Sequence, residues 1–319
     1  MRYAYHRLFR ILPTYRWWKP IVAAVVAFVL YTVFSFVWQE IVLLVVQSDG
    51  GDHARTALLT AWEHDQQNAS NPLVMLFTLG SLATMLPAVI LAVRILRLGP
   101  LGQLTSVVGR LRWRWMLLCL VPSAVYMAID IGLNQVVPLS WQGADAASSG
   151  TGQATPAGAL AVSIVLIVIL VPVQAAGEEF AFRGLGMQTF GSWFPWPVVA
   201  IVVPTVGFAF AHSYNVWGKI DVAALGIAFG YLTWRTGGLE AGLAAHVVNN
   251  VVVFVLAAPI VTNTQSNGSP AGAAVSVISS AAYVGMVSWL ARKKRPERTA
   301  PGPLVPAPLT GGRQDPTIR

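Results

Sequence analysis

Charge is what this sequence has least of. Only 11% of its 319 residues are Asp, Glu, Lys or Arg, against roughly 25% in an ordinary soluble domain. So few charges cannot cover the surface of a water-soluble monomer of this length. That excludes a soluble globular enzyme, a disordered protein and a typical nucleic-acid binder. Cysteine is nearly absent as well. Cys119 stands alone in an apolar stretch, which excludes an intramolecular disulfide and a cysteine-based zinc site and leaves a small core residue. No internal repeat and no second domain is visible. What the chain has in quantity is apolar side chains, 55% of the total, with a mean hydropathy of +0.61. The apolar runs are continuous rather than alternating, so the class is an all-α polytopic membrane protein.

A helix needs ~20 apolar residues to cross a bilayer. About eight such helices are expected, over 21–46, 72–96, 114–138, 158–182, 196–213, 220–236, 240–258 and 271–291. The first is too long for a signal-peptide core and no small-residue cleavage site follows it, so it is read as retained. The net charge is +8, and its placement matters more than its size. Arg2, Arg7, Arg10, Arg16 and Lys19 precede the first run. Arg94, Arg97, Arg110, Arg112 and Arg114 separate the second from the third, and Arg292, Lys293, Lys294, Arg295 and Arg298 follow the last. This is the positive-inside pattern, so the clusters read as topology signals and anionic-lipid contacts. An even number of crossings then puts both basic termini in the cytoplasm. The acidic loop 47–71 and the Gly/Ala/Ser-rich loop 139–157 fall outside. The chain divides into a basic N-terminus (1–20), helices without motifs (21–157), a motif-bearing core (158–291) and a tail (292–319) rich in Pro and Gly, expected to be disordered. An Arg-, Ala- and Val-rich composition points to a bacterial plasma membrane.

Polar groups inside apolar helices are the informative residues, because each costs roughly 2.5–3.5 kcal/mol at the helix centre. Glu178, Glu179 and Arg183 lie in the fourth helix, His212 ends the fifth, and His246, Asn249 and Asn250 lie in the seventh. Glu179 and Arg183 are four apart and share a helix face, so they can neutralise each other. Glu178 is rotated about 100° away and has no partner in its own helix. A lone carboxyl group in an apolar setting is suited to proton transfer, although both glutamates could instead tie helices together. His246 and Asn250 also share a face. Side by side they can donate two hydrogen bonds to one developing oxyanion. An interhelical polar contact and metal binding through the imidazole stay open. Asn249 points elsewhere and reads as a packing contact. Glu40 and Asp130 have no motif around them. For Asp130 the expectation is a basic partner or a wet cavity.

In order, E-E-x-x-x-R at 178–183, F-x-x-x-H at 208–212 and H-x-x-x-N at 246–250 resemble the family of CAAX prenyl endopeptidases and bacteriocin-processing enzymes, the CPBP or Abi family, over about residues 160–260. The resemblance implies a membrane-embedded endopeptidase acting on a membrane-associated or lipidated protein or peptide. Carried over, Glu178 and His212 would activate the attacking water, Glu179 and Arg183 would form a supporting ion pair, and His246 and Asn250 would hold the oxyanion. Either no cofactor or a divalent metal such as zinc fits this reading. For a metal, Glu178, His212 and His246 would be the ligands, with one position left for water. The soluble zinc-protease motif H-E-x-x-H is absent.

One expectation cuts against this assembly. Counting along the crossings puts Glu178 and His246 in the inner half of the membrane and His212 near the outer end of the fifth helix. The groups meet only if Pro204 breaks that helix or residues 189–200 lie along the interface. Two other functions remain open: a non-catalytic scaffold or immunity protein, and a transporter using intramembrane Glu and His. Missing internal symmetry argues against the transporter.

Overall fold

The computed structural model describes residues 1–141, 150–262 and 268–302. Residues 142–149 of loop 139–157 and residues 303–319 of the tail therefore lie outside the described residues. The described chain is an all-α polytopic membrane protein with two short antiparallel ribbons at its ends. Among the described residues, seven helical stretches are long and apolar enough to cross a bilayer. The remaining apolar helix is short.

The first helix, α1 (Lys19–His64), starts at Pro20, whose fixed φ suits the first turn. Its outer surface is a lipid-type face, with Val25, Phe28, Phe36 and Leu44 all exposed. It runs on through the segment expected to be an outer loop. Only Gly51, at φ 68° and ψ −168°, interrupts it. A residue with a Cβ is strained at that φ, so glycine is what permits the break. Beyond it, residues 52–64 fold back into helix because Leu58, Ala61 and Trp62 find apolar cover against Val42, Phe77 and Ala69. Glu40 pairs with Arg55 across this break, at 3.4 Å.

Two shorter helices, α2 (Pro72–Ala83) and α3 (Met85–Ile95), make the second crossing. Asn71 caps α2 by accepting from the amides of Leu73 and Val74. A single turn, α4 (Gly102–Thr105), leads to α5 (Trp113–Val136). Next comes α6 (Ala157–Glu178), which continues without a break through a π-helical segment (Glu179–Gly186) and α7 (Met187–Trp193), 37 residues in all. The expected end at 182 is therefore overrun. The helix stops only where Phe194 turns extended, just before Pro195 and Pro197.

The following helix, α8 (Pro197–Phe210), has 14 residues and a length of about 21 Å, shorter than the ~30 Å hydrocarbon core. Pro204 lies inside it. The bundle closes with α9 (Val216–Thr236), α10 (Glu240–Ala257) and α11 (Pro270–Lys294). Helix α10 packs between α5 and α6, α9 packs on α8 and α11, and α11 also covers α5. Cys119 is buried in the core these helices share, as expected.

Part of the tail departs from the expected disorder. Strand β1 (Arg2–Ala4) pairs with β4 (Thr299–Pro301), so the two ends of the described chain lie side by side. A second ribbon joins β2 (Gly150–Ala154) to β3 (Ile260–Thr262). Behind β1 a 3₁₀ turn (Tyr5–Ile11) lies against α7. Tyr5, fully buried, donates to the Leu104 carbonyl.

Arg112, read from the sequence as one of a topological cluster, holds this end of the bundle together. Its backbone amide and Nε donate to Glu240 Oε1, and its Nη2 donates to Oε2 at 2.7 Å. Its Nη1 donates to the carbonyls of Thr236 and Glu297. Glu240 is fully buried, so it depends on this fork for its charge. Arg112→Ala leaves a buried carboxylate uncompensated and is expected to cost about 3–5 kcal/mol, read as a large fall in unfolding temperature in detergent. Arg114→Ala on the same helix serves as the control.

The N-terminal turn carries a second expectation. His6 Nε2 donates to the Pro195 carbonyl at 3.1 Å, while its Nδ1 is buried without a partner. Burial, and secondarily the Arg7 charge, hold its pKa below the ordinary 6.5. The unfolded segment therefore binds the proton more readily than the docked one. The docking free energy from this group is complete above pH 6.5 and declines as the pH falls below it. Amide exchange in residues 2–12 should accelerate on acidification, and His6→Gln should remove that dependence.

Candidate functional site

The site is centred on the π-helical segment. Most π turns are single wide bulges within α-helices, and they concentrate at functional positions. This one begins at Glu179 and ends at Gly186. Glu179 Oε1 accepts from Arg183 Nη1 at 2.8 Å and from His246 Nδ1 at 2.9 Å. On the far side of the same imidazole, Nε2 stands 3.3 Å from Glu178 Oε2. The two adjacent glutamates thus hold opposite nitrogens of one ring supplied by α10. Glu178, Glu179, Arg183 and His246 are all buried. The pairing of Glu179 with Arg183 expected from their spacing is present, and Glu178 takes its partner from another helix.

The environment explains how α10 and α9 come this close. A Cβ on Gly242 would stand 3.2 Å from Glu179 Oε2, and one on Gly226 would stand 2.6 Å from the Thr205 methyl. Arg183 uses its remaining guanidinium surface against aromatic faces, 4.5 Å from the Phe208 ring centre and 5.5 Å from that of Phe229. One atom of each partner, Glu179 Oε2 and Arg183 Nη2, has no hydrogen bond among the described residues. The pair is thus electrically balanced but not fully satisfied.

Asn250 lies on the same face of α10 as His246. Its Nδ2 donates to Gln174 Oε1 at 3.2 Å, and its Oδ1 accepts from Asn249 at 3.0 Å. Asn249 in turn accepts from the Tyr126 hydroxyl at 2.8 Å. Asn249, read from the sequence as packing, therefore orients Asn250. Gln174 was missed, although a signal existed. It is a polar residue four positions before Glu178 on the same helix, and it is buried. Tyr126 carried no signal, because a tyrosine in an apolar helix is an ordinary core residue.

His212 ends the turn after α8. Its Nδ1 bonds the Phe208 carbonyl at 2.8 Å. A carbonyl can only accept, so Nδ1 carries the hydrogen and Nε2 keeps a lone pair. The ring lies 4.8 Å from that of Phe208, which lies 6.0 Å from that of His246. His212 is thus one aromatic ring away from His246 and makes no direct bond to Glu178 or His246. The expected separation in depth is not found. Phe208, on α8 one turn before His212, lies against His212, Arg183 and His246 alike. His212 therefore stands beside the glutamate cluster rather than at a distance from it.

The metal-ligand set does not assemble. Glu178 and His246 face each other, but His212 is not with them. Among the described residues no three His, Cys, Asp or Glu side chains are grouped to hold a metal ion. Of the two alternatives for Asp130, the basic partner is not found among the described residues: Asp130 accepts from Ser279 at 2.8 Å and from Asn134.

Residues 159–252, which contain all seven motif residues, match the family model of type II CAAX prenyl endopeptidases, Rce1-like. The resemblance carried by the three motifs is therefore shown for this segment. An uncharacterized protein of Bacillus subtilis (strain 168), YyaK, is 34% identical over 91 residues, a match covering 26% of this chain and 30% of that relative. No solved structure matches.

The ion pair makes a direct prediction. Arg183→Ala should cost about 3–5 kcal/mol, because it strands Glu179 in an apolar interior. Adding Glu179→Gln should restore part of that loss. Thermal unfolding of the two single variants and the double variant in detergent measures the coupling. Additive effects would mean that the two side chains do not share a charge.

Proposed function

We propose that this integral membrane protein is an intramembrane endopeptidase that hydrolyses a peptide bond with a water activated at Glu178. The observation that carries the reading is the His246 ring held between two buried glutamates. The family match over 159–252 supports it at the level of a CAAX-type protease. No step is routed through a metal, because the three candidate ligands do not gather.

With Arg183 balancing Glu179, one unit of negative charge remains on Glu178, and an imidazolium at His246 neutralises it. In that state His246 gives one N–H to each glutamate. A water beside Glu178 loses a proton to the carboxylate, and its oxygen attacks the scissile carbonyl carbon. A C–O bond forms, and the carbonyl π electrons move to oxygen. Protonation of Glu178 weakens its hold on the Nε2–H of His246. That hydrogen turns to the new oxyanion, joined by the second Nδ2 hydrogen of Asn250. Donors released only as charge develops stabilise the transition state more than the ground state. Collapse of the intermediate breaks the C–N bond, and Glu178 returns its proton to the leaving amine. The lone pair on His212 Nε2 orients the water from the other side. Gln174, Asn249 and Tyr126 act through Asn250 as positioning residues.

The substrate class is a membrane-associated or lipidated protein or peptide, reached from a plasma membrane with both termini cytoplasmic. Membranes carrying wild type and Glu178→Gln at matched levels should differ in new peptide termini found by mass spectrometry, with those termini absent in the variant. Asn250→Ala should keep its unfolding temperature within a few degrees and lose about 10²–10³ in cleavage rate. Identical termini in all three membranes, with folded protein in each, would remove the protease reading.

A further inference from the structure

Away from the glutamates, a cavity of about 200 Å³ opens where the ends of α9 and α11 meet. Its walls are Arg235, Arg292, Arg295 and Arg298, floored by Ala291 and Pro296. Arg235 belongs to the last turn of α9, Arg292 to that of α11, and Arg295 is the residue that caps α11. Arg298 stands one position before β4. Three separate backbone features thus turn guanidinium groups toward one space.

Among the described residues, no carboxylate lines that space. None of the four guanidinium groups makes an ion pair or side-chain hydrogen bond among the described residues. The nearest acid in sequence, Glu297, is directed to Arg112 at 3.9 Å. Burial and the neighbouring Arg235 charge both make Arg298 harder to protonate. The bland explanation is that these cations complement helix dipoles. Two helix C-termini supply only about half a negative charge each, against four positive charges, so roughly three remain unopposed. Arginine forks of this kind match the paired oxygens of a phosphate. A water occupies ≈30 Å³ of liquid, so the space holds a phosphate-sized anion with some of its hydration. The level of the cavity is marked by Trp289, which is half-exposed and has Lys293 over its ring at 3.9 Å. Exposed Trp beside basic residues is the composition of the headgroup layer.

We propose that Arg235, Arg292, Arg295 and Arg298 form a binding site for a phosphate group, and that the phosphate is the headgroup of an anionic phospholipid. This goes beyond general attraction of a basic surface to the inner leaflet. It assigns one discrete ligand position, built from two helices and the segment before β4, away from the proposed hydrolytic site and independent of it.

The full chain is reconstituted in nanodiscs of phosphatidylcholine with increasing phosphatidylglycerol, and retained lipid is counted by native mass spectrometry after extraction. One phosphatidylglycerol per chain is expected. Arg235→Gln/Arg298→Gln should weaken its retention about tenfold or more, since a hydrogen bond to a charged group is worth ~1.5–3 kcal/mol and 1.4 kcal/mol is tenfold. Arg94→Gln/Arg97→Gln removes the same charge elsewhere and should change retention less than about twofold. Unfolding temperatures in pure phosphatidylcholine report whether each variant is folded. If the first double variant is not, Arg292→Gln/Arg295→Gln takes its place. Inorganic phosphate separates the two sources. Displacement of bound lipid by phosphate supports a headgroup site. Stabilisation by phosphate without any retained lipid overturns the lipid assignment in favour of a soluble phosphate. Equal losses in both double variants, or no retained lipid and no effect of phosphate, overturn the site altogether.

Discussion

Glu179 bonded to Arg183 is the contact on which the rest of the core depends. A carboxylate and a guanidinium one helical turn apart arrive in the membrane together, and neither is affordable there alone. Once paired, Glu179 still has acceptor capacity, and it uses that capacity to seize His246 from α10. The pair therefore fixes the rotation and depth of a second helix. The Phe208 ring lies over Arg183, so α8 is set by the same pair. From α10 the constraint passes through Asn250 to Gln174 on α6 and through Asn249 to Tyr126 on α5. One ion pair thus reaches three other helices, α10, α8 and α5, through hydrogen bonds and ring contacts, and returns through Gln174 to its own.

This arrangement also explains why a strongly polar cluster is tolerated in an apolar bundle. Each group is met by another from a different element, and the aromatic rings of Phe208 and Phe229 separate the cations and imidazoles from lipid. The π-helical segment contributes by widening the helix where Glu179 and Arg183 sit. It lets Glu178 and Glu179, adjacent in sequence, approach opposite edges of one ring. The unsatisfied atoms, Glu179 Oε2 and Arg183 Nη2, show that the cluster is not optimised for stability alone. Incomplete satisfaction of this kind is found where reactivity takes precedence over packing.

The bundle was largely legible from the apolar runs, and every one of the eight expected runs corresponds to helix. Their ends were not. Hydropathy averages over many residues, so it does not register a glycine break such as Gly51, nor the continuation from Glu178 to Trp193 through polar and small residues. The six polar motif residues were legible because they are polar where polarity is costly. Their partners were legible unevenly. Gln174 shows the same cost signal and the same i,i+4 spacing from Glu178. Phe208 stood only as one letter of a pattern, since nothing in a linear sequence distinguishes a phenylalanine facing lipid from one covering an arginine. The arginines at and after the end of α11 read as one-sided charge, and Arg235 at the end of α9 was not singled out, because sequence reports sign and number but not convergence.

The sequence by itself determined the solvent this protein lives in, the helical class that follows from it, and which few polar side chains need partners. These are local consequences of transfer energies and helix periodicity, and each can be read from composition and spacing. Only the tertiary structure decided who the partners are. It brought His212 beside the cluster through the Phe208 ring, gave both edges of His246 to two glutamates, kept His212 out of a shared ligand set, and turned Asn249 from packing into support. It also joined residues 2–4 to 299–301, which no apolar pattern foretells. The reason is physical. A partner across the bundle is chosen by distance and direction after packing, and those depend on all the helices at once.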